Sequence, residues 1–141
     1  MSANASKVFV DTNVLVYAHD VDAGAKYQTA NERLLALWAD ETGLVSTQVL
    51  QEFYVTATRK IKTPIHRPVA RDIVRRYGSW LFGSLGIEHI VRASEVEELH
   101  KLDFWDALVV VSAAASGART LLTEDLNHGQ VIEGVRIENP F

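Results

Sequence analysis

The chain of 141 residues has no cysteine. Disulfides and thiolate chemistry are therefore excluded, and the absence is compatible with a cytoplasmic protein, the location expected here. No apolar run is long enough to span a membrane; the longest, Ala107 to Ala115, is interrupted by Ser112. The opening residues Met1 to Ser6 are small and polar, without the apolar core of a signal peptide. The five histidines (His19, His66, His89, His100 and His128) show no zinc-like spacing. There is no excess of positive charge either, because the formal net charge is -4. Internal repeats, linkers and low-complexity segments are also missing.

What is present is a core. Hydrophobic residues make up 48% of the chain, which suits one compact domain spanning residues 1–141. Lys7 to Val10 reads as a short buried strand running into Asp11. A short helix is expected from Thr12 to His19, then a break at Asp20 to Gly24. Lys26 to Ala39 carries Tyr27, Ala30, Leu34, Leu37 and Trp38 at helical spacing. Gly43 to Ser46 reads as a turn and short strand, with Ser46 or Thr47 capping a helix to about Lys60. Pro68 suits the first turn of a helix running to about Leu81. Ile87 to Val91 reads as a third strand, and Ser94 to Glu97 as a capping box that opens a helix to about Leu102. A very apolar helix follows from Phe104 to Ser116, closed by Gly117. Arg119 to Thr123 is a fourth strand, Glu124 to Gly129 a polar loop, and Val135 to Glu138 a last strand at the sheet edge. Strands alternating with helices predict an α/β fold: a mostly parallel sheet of four to five strands with helices on both faces.

Acidic residues mark the places where chemistry is expected. Ligands of open parallel sheets bind beyond the carboxyl ends of the strands. Asp11 stands at one such end, with Asn13 two residues on. Asp125 follows another, with the Thr123 hydroxyl nearby and Glu124, read as a surface residue, beside it. Glu52 falls on the helix face of Val49, Phe53 and Thr56, or is solvated if that face is rotated. Asp103 reads as a helix cap, and Asp106 lies in the first turn of the same helix, where the dipole favours an acid. Singly, each acid has an ordinary explanation. If Asp11, Glu52, Asp106 and Asp125 converge, they must recruit a cation or take up protons. An all-oxygen ligand set suits Mg²⁺ or Mn²⁺.

The positive charge is concentrated elsewhere. Arg59, Lys60, Lys62, Arg67, Arg71, Arg75 and Arg76 are seven of the 14 basic residues, with Asp72 the one acid among them. The stretch reads equally as a patch that steers a polyanion or as solvated helix surface.

Four motifs then occur in order: Val10-Asp11-Thr12-Asn13, Gln51-Glu52-Phe53, Phe104-Trp105-Asp106-Ala107-Leu108 and Leu122-Thr123-Glu124-Asp125-Leu126. In order and size they resemble a PIN domain, specifically a VapC-type toxin ribonuclease. The resemblance covers essentially the whole chain. It implies a Rossmann-like fold and Mg²⁺- or Mn²⁺-dependent RNA cleavage. By position, Asp11, Glu52, Asp106 and Asp125 match the family's catalytic and metal-binding quartet, and Asn13 and Thr123 match supporting polar positions. Asp103 stands where the family often has a capping Ser. A cognate VapB-type antitoxin and homodimerisation are implied as well.

Three other readings remain open at this point. A haloacid dehalogenase-type phosphatase would need a second Asp where Asn13 stands. A phospho-accepting receiver domain would need a late strand-end Lys, but no Lys follows Lys101. A PIN-like domain that binds RNA or a partner without cutting it is opposed only by the intact quartet.

Overall fold

The computed structural model describes residues 6–141; the polar opening residues Met1 to Ala5 lie outside that range. Val8–Val10 (β1) is buried along its whole length, as a central strand must be. It feeds α1 (Thr12–Tyr17), α2 (Ala25–Asp40) and β2 (Gly43–Leu44). Four helices follow: α3 (Thr47–Arg59), α4 (Arg67–Tyr77), α5 (Ile87–His100) and α6 (Phe104–Ala115). The chain then returns to the sheet as β3 (Thr120–Leu122), β4 (Val131–Ile132) and β5 (Val135–Glu138). The sheet order is β2-β1-β3-β5-β4, parallel except for the β4–β5 pair.

This order makes β1 a switch point. The chain leaves β1 for β2 on one side, and after four helices places β3 on the other. Register is fixed by Val8 opposite Thr120 and Val10 opposite Leu122. The two strands therefore end level, and Asp11 N–H donates to the Leu122 carbonyl at 3.0 Å. The crevice beyond such strand ends is where doubly wound sheets bind ligands.

Local signals set most helix starts. The Ser46 hydroxyl accepts from Val49 N–H at 3.2 Å and caps α3. Pro68 lies in the first turn of α4, where its missing N–H costs no helical bond. Asp103 accepts from Trp105 N–H at 2.8 Å and caps α6, whose Ala107, Val110, Val111 and Ala113 are buried.

Two expectations are corrected. Ile87 to Val91 is not a strand but the first turn and more of α5. Ile87, Ile90 and Val91 satisfy the i, i+3, i+4 helical spacing as well as a β-branched run does a strand, and all three are exposed. The helix buries the smaller Ala93 and Val96 and packs chiefly along α6. Ser94 is thus an exposed mid-helix residue, and the N-terminus is closed instead by Gly86 N–H donating to the His89 ring nitrogen at 2.9 Å. The second correction concerns the sheet edge. Val135–Glu138 is interior, paired on both sides, and the edge is β4. A two-residue turn, Glu133-Gly134, joins them with φ of 55° and 77°. Positive φ at both positions is the geometry of a tight hairpin turn, usually signalled by Asn-Gly or Asp-Gly.

No helix among the described residues is long and apolar enough to cross a membrane. At the other sheet edge, Gly43 lies under the Trp80 indole, and an added Cβ would come within 2.6–2.7 Å of three ring atoms. Trp80 is itself locked against Trp38 and Tyr77, with ring centroids at 4.5 and 4.9 Å. Gly43→Ala should therefore cost about 1–3 kcal/mol through overpacking. Chemical denaturation measures this, and an unchanged midpoint would show that the indole yields freely.

Candidate active site at the ends of β1 and β3

Asp11 is the centre of the site, with a relative exposure of 7%. It caps α1, and its Oδ1 accepts from Thr12 N–H at 2.7 Å. Its Oδ2 accepts from the Thr123 hydroxyl at 2.9 Å, across the β1–β3 pair. Each oxygen keeps lone-pair capacity. Asn13 spans to the same loop: its Nδ2 donates to Asp125 Oδ2 at 2.8 Å, and its Oδ1 accepts from Glu124 N–H at 3.4 Å. Asp125 N–H donates to Thr123 Oγ1 at 3.1 Å. Thr123 thus links two acids through one buried hydroxyl.

The helices supply the other two. Gln48, Glu52, Thr56 and Lys60 follow one another at four-residue intervals along α3 and its C-cap, and all line the cleft. Glu52 accepts from Gln48 Nε2 at 2.9 Å and from the Thr12 hydroxyl at 3.0 Å. It is exposed, because α3 turns Val49, Phe53 and Ala57 to the core and leaves this stripe beside them. Asp106 comes from the first turn of α6, half-buried next to Trp105. Asp11, Glu52, Asp106 and Asp125 all line one cleft of about 550 Å³. Asp103 is spent as the helix cap.

The site carries uncompensated negative charge. Burial, opposed by the Thr123 and Thr12 hydrogen bonds and reinforced by Asp125 and Glu52, pushes the Asp11 carboxyl up to about 6. Burial first, then Asp125 and Asp103, also raises Asp106. These donors are all hard oxygens without a paired cation, which fits Mg²⁺ or Mn²⁺. No group of three acidic or histidine side chains among the described residues is drawn together closely enough to hold a metal ion.

The basic stretch is divided by the fold. Lys60 and Lys62 line the acidic cleft. Arg71 and Arg75 line an apolar groove with Leu50, Tyr54 and Val74, between α3 and α4. Arg76 borders a third cavity of about 380 Å³, with His19, Leu34, Trp38 and Tyr77. Arg59 and Arg67 are exposed and line none of the three.

Glu124 is corrected from a simple surface residue. It accepts from the Tyr17 hydroxyl at 2.7 Å and from Lys26 Nζ at 2.8 Å, tying the Asp125 loop to α1 and α2. Its long-range partners leave no local sequence signal. The Thr12 contact with Glu52 was also missed, although a hydroxyl next to Asp11 in Asp11-Thr12-Asn13 is a visible hint.

The sequence matches the PIN domain family over residues 8–133. The chain belongs to that family. Comparison with curated protein sequences returned no match. Three solved structures share the PIN fold. A toxin–antitoxin complex from Klebsiella pneumoniae is 19% identical, with a TM-score of 0.67 over 96% of this chain and 98% of that one. VapBC2 from Rickettsia felis, bound to a fragment of its promoter DNA, is 22% identical, with a TM-score of 0.62 over 94% and 97%. VapC20 from Mycobacterium tuberculosis, described as a toxin that cleaves the sarcin-ricin loop, is 21% identical, with a TM-score of 0.65 over 92% and 99%. Membership of the PIN family sets aside the phosphatase and receiver readings.

The raised Asp11 carboxyl has a measurable consequence for this PIN domain. Below pH 3.8 the group is protonated whether the chain is folded or not. Between 3.8 and about 6 the unfolded chain ionises first, so folding stability falls as pH rises. The full loss is on the order of 3 kcal/mol. In EDTA, thermal melting of the parent should show Tm declining across that window, and Asp11→Asn should flatten the decline. An equally steep decline in the variant would assign the buried charge to another group.

Proposed function

We propose that this PIN domain is an endoribonuclease toxin of the VapC type, hydrolysing RNA phosphodiesters with Mg²⁺ or Mn²⁺. One observation carries the reading: four carboxylates from β1, α3, α6 and the β3 loop line a single cleft at the sheet's switch point. Bound there, the ion supplies a more acidic water and shields the anionic phosphate. Asp11 and Asp106, the two acids whose ionised forms the fold disfavours, would hold it directly. Glu52 and Asp125, both exposed, act through water or accept the proton of the attacking water. Thr123 and Asn13 keep Asp11 and Asp125 aimed at the same space. Water attacks phosphorus in line with the departing 3′ oxygen, leaving a 5′-phosphate and a 3′-hydroxyl.

Lys60 and Lys62 border the acids and attract the RNA backbone without reading sequence. Arg59, Arg67, Arg71, Arg75 and Arg76 add a diffuse field at greater distance. A VapB-type antitoxin as inhibitor, and a homodimer as the working form, belong to the same reading. The toxin–antitoxin character of the similar folds supports the first.

Purified chain should cut RNA with Mg²⁺ or Mn²⁺ and stop in EDTA. Asp11→Asn should lower the rate more than ~100-fold, and Thr123→Val, which removes the hydroxyl that supports Asp11 and receives the Asp125 N–H, about 10–100-fold. End analysis should find 5′-phosphates. RNA retention without metal-dependent products would replace this reading with a binding-only domain. A variant that cuts as fast as the parent would trace the activity to a contaminant.

A further inference from the structure

Metal-assisted hydrolysis leaves one feature of the cleft without a task. Trp105 is 60% exposed, yet it lines the cleft beside Asp106, with Val109 one turn further along α6. The other tryptophans are used differently. Trp80 is buried, and Trp38 packs against the core and stacks on it. Among the described residues the exposed aromatics are Trp105 and Phe141, and Phe141 meets the Tyr17 ring edge-on at 5.2 Å. Trp105 meets Phe104 at 5.3 Å and 79°, a T-shaped contact that leaves most of the indole open to solvent.

The backbone of Trp105 is held in place. Its backbone N–H donates to the Asp103 carboxylate at 2.8 Å, in the capped first turn of α6. An indole has only two side-chain torsions, so ordering it on a base costs less than ordering a long flexible side chain. The cleft that it lines also contains Lys60 and Lys62. The ion pairs among the described residues are Lys26–Glu124, Arg33–Glu138, Arg75–Asp72, Arg92–Glu95 and Arg92–Glu133, which leave both lysines free. An open aromatic surface joined to unpaired cations is the chemistry that binds single-stranded nucleic acid. Bases stack on the ring while the cations follow the phosphates.

We propose that Trp105 is a stacking platform for an unpaired base next to the bond to be cut, and that this indole is the residue by which the cleft distinguishes an unpaired strand from a paired one. The inference rests on the ribonuclease reading for its substrate class. In an A-form helix each base is stacked on both faces and paired at its edge, so nothing is offered to the indole. An extruded or looped base offers a free face. Lys60 and Lys62 contribute affinity common to any sequence, so the choice between structures falls to Trp105.

The test separates binding from cutting. In EDTA, a short single-stranded RNA should quench the fluorescence of the chain, whose other tryptophans report the core. The same sequence closed into a stem should bind more weakly and quench less. Trp105→Ala should abolish the quench and weaken single-strand binding by about 5- to 100-fold, the range of base–aromatic stacking, while Trp105→Phe retains most of the affinity. Lys62→Ala should weaken single-strand and stem binding alike. Equal binding of both RNAs by the parent would overturn the proposal, and so would unchanged single-strand affinity in Trp105→Ala. If Trp105→Ala changes only self-association or capture of a protein partner, the indole is a protein contact and the proposal fails. A parent that cuts no RNA in Mg²⁺ but shows the quench would sink the ribonuclease reading and leave the platform standing. A parent that cuts looped and paired RNA alike would do the reverse.

Discussion

The structure depends on one buried carboxylate. Asp11 ends the central strand, caps the first helix and accepts the Thr123 hydroxyl from the neighbouring strand. Those roles fix one another. The level ending of β1 and β3 brings Thr123 opposite Asp11, and the Thr12 N–H can reach Asp11 only because a helix begins there. A carboxylate so placed loses hydration that two hydrogen bonds do not fully replace, and its acidity falls as a result. The protein thus holds a group under electrostatic tension at the place where its sheet topology opens a crevice.

The remainder of the fold maintains that tension. Strands β1 and β3 are short, and their apolar residues are almost wholly buried. Helix α6 brings Asp106 to the cleft on an otherwise apolar element whose buried face anchors it. Glu124, clamped by Tyr17 and Lys26, stops the loop carrying Asp125 from swinging away from its like-charged neighbours. Relaxation by moving apart is therefore restricted, which leaves proton uptake or a bound cation to relieve the charge.

The parts of this arrangement that were legible in the sequence are those encoded locally. Val8–Val10 and Thr120–Leu122 are apolar runs that end in polar residues, so both strand ends and their acids could be read directly. Ser46, Pro68 and Asp103 announce helix starts through chemistry confined to one turn. Ile87 to Val91 misled because its apolar residues fit two periods and face solvent, so burial could not decide between them. The β4–β5 hairpin was hidden by a Glu133-Gly134 turn in place of the usual Asn-Gly. Glu124 was underrated because its partners lie about a hundred residues away in the chain, beyond any local pattern. Convergence of the four acids was an expectation from motif order, and only the tertiary packing of α3 and α6 against the strand ends brings them to one cleft.

Helix α3 explains how acids and lysines coexist there without cancelling. Glu52 and Lys60 belong to one stripe, eight residues apart. At the rise of an α-helix, that is about 12 Å. The separation exceeds the Debye length of roughly 8 Å at physiological ionic strength, so through solvent the lysine screens the acids weakly. The charges causing the Asp11 shift after burial are Asp125 and Glu52, with no lysine among its causes. Moving Lys60 one turn closer would set its charge against the acids and cancel part of the negative field. Moving it further would take it out of the cleft. The α-helical period keeps the negative floor and the positive rim apart on a single element, so both charges stay available to the phosphate chain of the proposed RNA substrate.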